Sequence, residues 1–142
     1  YKKNTKLKNG NGLIVCKGKD LTIYCTGNIL ENVYTATNKV KLMGFSINLI
    51  SMPIIKPINP QFVKSNLNSK KILTIEENSI IGGLGSIISS IFIKNFNDKM
   101  QFKSIALGDL VHNKIGDQTY LRDINNLSVN KIYNFLIKYL NE

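Results

Sequence analysis

The sequence predicts a three-layer α/β fold, in which a mostly parallel sheet of about five strands lies between helices on both faces. Three observations carry this. Short β-branched runs bounded by glycine or proline recur along the chain, segments with helical period stand between them, and the two kinds alternate. The length of 142 residues, 43% of them hydrophobic, suits one domain with its own core. A basic linker segment is expected over residues 1–11 and the domain over 12–142.

"GLIVCKG" (12–18) and "DLTIYCTG" (20–27) read as the first strands. In the segment that follows, Ile29, Val33, Ala36 and Val40 recur at helical spacing, and Gly44 stands where a helix C-cap belongs. "FSINLISM" (45–52) returns to a strand, after which Pro53, Pro57 and Pro60 impose an extended connection. Asn59 and Pro60 suit the N-cap and first position of a short helix over "QFVKSNLN".

The second half repeats the scheme. "KKILTIE" (70–76) is a strand, a glycine turn follows, and "LGSIISSIFIKNF" is apolar nearly all round, which predicts a buried helix. "FKSIALGD" (102–109) is the next strand, "LVHNKIGDQ" a loop and "YLRDI" a short helix. Ser128 then stands as N-cap of a last helix with Val129, Ile132, Leu136 and Leu140 down one side.

Composition narrows the classes of function. The net charge of +10 invites a nucleic-acid reading, but Arg122 is the single arginine and no aromatics interleave with the lysines. Phosphate and base recognition favour the arginine fork, and single-strand binding uses stacked aromatics. No nucleic-acid partner is therefore expected, and a free-standing anion- or nucleic-acid-binding domain is the competing class. No long apolar segment predicts a membrane span or signal sequence, so a soluble, cytoplasmic protein is expected. Cys16 and Cys25 lie in apolar stretches without metal spacing and read as buried, reduced thiols.

The richest stretch is "TIEENSIIGGLGSIISSIF" (74–92). Its G-x-G lacks the third glycine of a dinucleotide fingerprint, because Ile88 stands there, and it lacks the Gly-Lys-Ser/Thr of a P-loop. Backbone N–H groups at the helix start could still receive an anion. The structural alternative is that the glycines serve a sharp turn and close helix-on-strand packing. Glu76 and Glu77 are adjacent on an extended chain, point to opposite faces and cannot form a catalytic pair. His112 has no companion for a metal, and Asp109 ends a strand where capping a loop suffices. No nucleophile, base and oxyanion hole assemble, so the residues alone point to no enzyme.

Four pieces in order do resemble a known family. They are Gly18-Lys19-Asp20, Lys56-Pro57-Ile58-Asn59, Glu76-Glu77-Asn78-Ser79 with Gly82-Gly83-Leu84-Gly85-Ser86, and Asp109 through Gly116. Together they resemble the C-terminal domain of the transketolase family, over nearly the whole chain from about residue 12. Asn59 replaces the family's usual Asp, Asn78 stands where many transketolases have His, and Val111 replaces an aromatic. "SMPIIKPIN" is similar to transketolases, particularly the split two-chain kind, whereas "EEN" is also common in 1-deoxyxylulose-5-phosphate synthases. The β subunits of 2-oxo acid dehydrogenases share the fold but usually lack "GGLGS".

The resemblance implies a thiamine diphosphate-dependent parent enzyme that moves two-carbon ketol units between sugar phosphates. Its thiamine diphosphate and Mg²⁺ lie between a pyrophosphate domain with a GDG…N motif and a pyrimidine domain with an activating glutamate, both upstream of the matched region. This sequence has no GDG. No catalytic, cofactor or metal residue is assigned to it, and it is expected to be inactive alone. Lys56, Pro57, Glu76, Glu77, Gly82, Gly83, Gly85, Ser86, Asp109 and Gly116 are expected to serve the fold or an interface. The implied partners are the two upstream domains and, through the parent, a second copy in a homodimer.

Overall fold

The computed structural model describes residues 7–95, 100–108 and 114–142. Strands β1 (Leu13–Cys16), β2 (Leu21–Thr26), β3 (Ile47–Ser51), β4 (Lys71–Ser79) and β5 (Gln101–Leu107) form one sheet in the order β1-β3-β2-β4-β5. β3, β2, β4 and β5 are parallel, and β1 adds antiparallel at one edge. Helices α1 (Leu30–Lys41), α2 (Pro60–Ser65), α3 (Leu84–Asn95), α4 (Gln118–Ile124) and α5 (Val129–Asn141) complete the described elements. The expected α/β sandwich is therefore present, with a parallel sheet and one antiparallel edge strand.

The two-residue period of the strands sorts side chains between two cores. Leu21, Ile23 and Cys25 of β2, with Leu73 and Ile75 of β4, face Val33, Ala36 and Val40 of α1 and Ile132, Leu136 and Tyr139 of α5. Tyr24, Ile50 and Ile72 point the other way, toward Val63 of α2 and Leu84, Ile88, Ile91 and Phe92 of α3. All six residues of β2 are buried because helices cover both its faces. The helical spacing read over Ile29, Val33, Ala36 and Val40 is confirmed, since each of the four is fully buried.

Polar contacts set the angles of these layers. Asp20 accepts from the Ser46 N–H at 2.7 Å, while the N–H groups of Lys19 and Asp20 donate to the Ser46 carbonyl. A Cβ at Gly18 would lie 2.3 Å from the Ile47 backbone, so the Gly18-Lys19-Asp20 piece clamps the start of β2 to β3. At the end of α5, Lys71 donates to the carbonyls of Tyr139 and Leu140 at 3.0 and 2.9 Å, a cation placed on a helix C-terminus. The Tyr139 hydroxyl lies 2.7 Å from the Gln101 carbonyl and 3.2 Å from that of Ile72, and so ties α5 to β5 and β4. Lys103 stands 4.5 Å from the Tyr139 ring centroid and pairs with Glu142.

Several expectations are corrected. β4 continues past residue 76 to Ser79, because a register shift lets Ser79 pair with Leu107. α2 stops at Ser65, short of the predicted reach, and Asn66 turns its amide back onto the Phe62 carbonyl at 2.8 Å. α3 is buried on one side only, with Ile93 82% exposed, because the sheet covers a single face of the helix. Ser128 is the N-cap of α5, but its hydroxyl donates to Asp123 at 2.7 Å instead of accepting from the helix. Cys25 is buried as expected, whereas Cys16 is half-buried on the edge strand; both are free thiols. No helix among the described residues is long and apolar enough to cross a membrane.

Burial gives the fold a defined alkaline weakness. It pushes the Cys25 thiol from 9.0 up to about 12 and the Tyr139 phenol from 10.0 up to about 12, and it raises the Tyr24 phenol as well. The unfolded chain then loses these protons first, so it binds fewer protons than the folded chain and stability falls as pH rises through roughly 9 to 12. Cys25→Val is expected to remove the earliest part of that fall, leaving the decline that begins with the phenols. Urea midpoints measured at about pH 8, 9.5 and 10.5 check this.

Candidate functional site

In a doubly wound sheet, ligands meet the carboxyl ends of strands where neighbouring connections leave toward opposite faces. Here that place lies between β2 and β4. The chain leaves β2 for α1 on one face and leaves β4 for α3 on the other, and Thr26 is the register partner of Glu76. Both carboxylates of the glycine-turn motif stand at this point.

Ile72, Thr74 and Glu76 share the α3 face of β4, and Glu76 is fully buried. Its two oxygens accept from the first backbone groups of α3, the N–H of Leu84 at 2.8 Å and that of Gly85 at 2.9 Å. Free N–H groups and the positive end of the helix dipole make this position attract an anion. The anion is the chain's own carboxylate. A phosphate there would have to displace a buried, hydrogen-bonded group of like charge, so the anion site that the sequence left open is closed from within.

The glycines follow from that contact. Gly82 turns with φ +76°, a conformation that side chains resist. A Cβ at Gly83 would lie 2.4 Å from Glu76 Oε2, and one at Gly85 would lie 2.6 Å from Ser104 Oγ on β5. Ser86 closes the turn, its hydroxyl accepting from the Gly82 N–H at 3.0 Å and donating to the Ile80 carbonyl at 2.9 Å.

Glu77 points to the opposite face, as the extended chain requires. It receives Arg122 of α4 in a two-pronged pair, Nε to Oε1 at 2.6 Å and Nη2 to Oε2 at 2.8 Å. Hydrogen bonding to Glu77, with the charges of Glu77 and Glu31, holds the guanidinium above its ordinary pKa despite partial desolvation. The pair lines a small hollow of ≈ 210 Å³ with Leu107, Lys114 and Leu127. A wider open groove of ≈ 1020 Å³ runs along the ends of β1, β2 and β3, past Ile14, Asn28 and Tyr34. Among the described residues, no three His, Cys, Asp or Glu side chains stand close enough to share a metal ion.

The family model for "Transketolase, C-terminal domain" matches residues 10–116. The chain belongs to this family. A transketolase C-terminal section from Methanocaldococcus jannaschii is 35% identical over 101 residues, which are 71% of this chain and 31% of that one. A 1-deoxy-D-xylulose-5-phosphate synthase from Halothermothrix orenii is 28% identical over 136 residues, 94% of this chain and 21% of that one. The chain thus spans a third or less of these relatives. Among solved structures, a split-gene transketolase described as an inactive β4 tetramer superposes with TM-score 0.82 at 22% identity, over 97% of this chain and 44% of the other. Transketolase from Campylobacter jejuni gives 0.63 at 15%, over 92% of this chain and 19% of the other, and both likenesses speak for the fold alone.

The transketolase-family motif residues take several places on the domain. Lys56 and Pro57 lie exposed on the loop before α2, where Asn59 caps the helix by accepting from Gln61 and Phe62. Asn59 also donates from its backbone to the Gly10 carbonyl at 2.8 Å and from its amide to Asn11 at 2.9 Å, which docks the incoming chain on this loop. The replacement of the family's Asp by Asn therefore preserves the cap and supplies a donor. Gly116 lies under Tyr120, whose ring a Cβ there would meet at 2.3 Å. Asp109, Val111 and His112 lie outside the described residues.

Sequence reasoning missed the partners. A carboxylate ending a strand eight residues ahead of a glycine-led helix start was the available signal for Glu76. Arg122 carried no such signal beyond being the one arginine. Glu76→Ala strands two buried N–H groups and is expected to cost roughly 3 kcal/mol, and Glu76→Gln, which keeps one acceptor, roughly half as much. Gly83→Ala, which drives a methyl group into Glu76, is expected to resemble Glu76→Ala. Urea unfolding and the exchange protection of the α3 amides measure both.

Proposed function

We propose that this chain is the third domain of a thiamine diphosphate-dependent transketolase-like enzyme, which transfers two-carbon ketol units between sugar phosphates. On this reading the domain carries contacts between domains and between the two halves of a dimer, and the chemistry belongs to the pyrophosphate and pyrimidine domains. One observation carries it: both glutamates of the glycine-turn motif are engaged inside the domain, Glu76 by α3 and Glu77 by Arg122. The fraction of its relatives that the chain spans supports the same reading.

Thiamine diphosphate does not fit the glycine turn. The N–H groups that would hold its diphosphate face the Glu76 carboxylate, and Gly83 has no room for added atoms on that side. Calorimetry of the 142-residue chain with thiamine diphosphate and Mg²⁺ is expected to give no binding heat, and tight binding would overturn the assignment of the cofactor to other domains.

A second reading, the corresponding domain of a 1-deoxyxylulose-5-phosphate synthase, is favoured by the alignment with the Halothermothrix orenii enzyme over 94% of this chain. Assay of the complete enzyme separates the two. Ketol transfer between sugar phosphates is the expected outcome, and formation of 1-deoxyxylulose 5-phosphate in its place would establish the alternative.

A further inference from the structure

Among the described residues, ten large hydrophobic side chains are exposed, and seven of them gather at one edge of the sheet. It is the edge where the parallel strands end. Ile80 and Ile81 follow β4 directly, with Ile81 72% exposed. Ile115, 98% exposed, leads into α4, which carries Tyr120 and Ile124. These two groups share one neighbourhood. The Ile80 N–H donates to the Leu107 carbonyl at 2.9 Å, and Leu107 and Lys114 line the hollow that holds the Glu77–Arg122 pair. Across the sheet, Ile14 and Tyr34 line the open groove on the same edge. Exposed apolar side chains scattered singly are ordinary, but their concentration on one face marks an interaction surface.

The opposite edge differs. There Lys71, Lys103 and Glu142 are tied to α5 by hydrogen bonds and an ion pair, and Leu42 and Met43 at the end of α1 supply the exposed apolar groups.

The course of the chain says what covers the apolar edge. Leu13 pairs with Ser51, the last residue of β3, and the Gly10 carbonyl is held by Asn59 on the loop beyond it. The chain at Gly10 therefore lies at the carboxyl edge. The family model describes a C-terminal domain, and in the two relatives 69% or more of the polypeptide lies outside the match. Five strands at about 4.8 Å spacing span about 19 Å, a width that one ordinary domain covers.

We infer that the carboxyl edge, centred on Ile80, Ile81, Ile115 and Tyr120, is the face on which the domain immediately upstream in the complete enzyme docks. This rests on the reading of the chain as one domain of a larger enzyme, and it names the surface and its occupant. The burial of Glu76 and the pairing of Glu77 with Arg122 take two carboxylates out of contact with a partner on that face, and Asp117 accepts from the Tyr120 N–H at 2.8 Å.

Hydrogen exchange tests it on the complete enzyme, whether one polypeptide or a complex of two chains. Amides of 79–82 and 115–124 are expected to exchange at least about tenfold more slowly there than in the 142-residue chain. Ile81→Glu with Ile115→Glu is expected to abolish that protection, and Leu42→Glu, on the opposite edge, to leave it intact. Equal exchange in an active enzyme would overturn the docking while leaving the family function standing. So would self-association of the 142-residue chain that Ile81→Glu abolishes, which would assign the face to a second copy. Protection of this edge in an enzyme with neither ketol transfer nor cofactor binding would uphold the docking and refute the proposed activity instead.

Discussion

The carboxylate of Glu76 against the first turn of α3 fixes more of this structure than any other contact. It is fully buried, faces no cation among the hydrogen bonds it makes, and receives two backbone N–H groups that the helix itself cannot satisfy. Because the bond runs from the last buried residue of β4 to the start of α3, it sets how closely the helix approaches the sheet. Gly83 and Gly85 lack side chains since the approach leaves no space for them. The angle of α3 in turn presents Leu84, Ile88, Ile91 and Phe92 to the second core.

The same contact decides what the carboxyl edge can do. A strand–glycine turn–helix unit commonly receives a phosphate, and here its electrostatic demand is met within the domain. On the other face of β4, Glu77 and Arg122 neutralise each other and anchor α4 across the strand ends. The glycine turn, which by itself could receive an anion, thus becomes an internal fastening. Among the described residues, the edge also carries exposed apolar surface and an open groove.

The opposite edge is fastened by different means. Lys71 caps the C-terminus of α5, Tyr139 joins that helix to β4 and β5, and Lys103 lies over the Tyr139 ring. α5 is thereby locked beside α1 over the first core, while α2 and α3 cover the second. Tyr24 crosses from the central strand to α2, where its hydroxyl donates to the Val63 carbonyl at 2.9 Å.

The order of elements, the parallel sheet and the family were legible in the chain alone. Period two and period 3.6 are properties of local sequence, and the motifs hold their spacing without reference to any fold. So Ile29, Val33, Ala36 and Val40 could be placed on a buried face, and Asn59 at a helix cap, before any contact was known. The adjacent glutamates could likewise be sent to opposite faces. Their partners could not be named, because Arg122 stands 45 residues from Glu77, and nothing local links them. The one-sided burial of α3 was hidden because an all-apolar helix carries no stripe to show which face meets the sheet. Whether the glycine turn holds a foreign anion or the chain's own depends on where a side chain eight residues away comes to rest. Only tertiary structure decides that, since it brings the end of one strand and the start of one helix within hydrogen-bond distance.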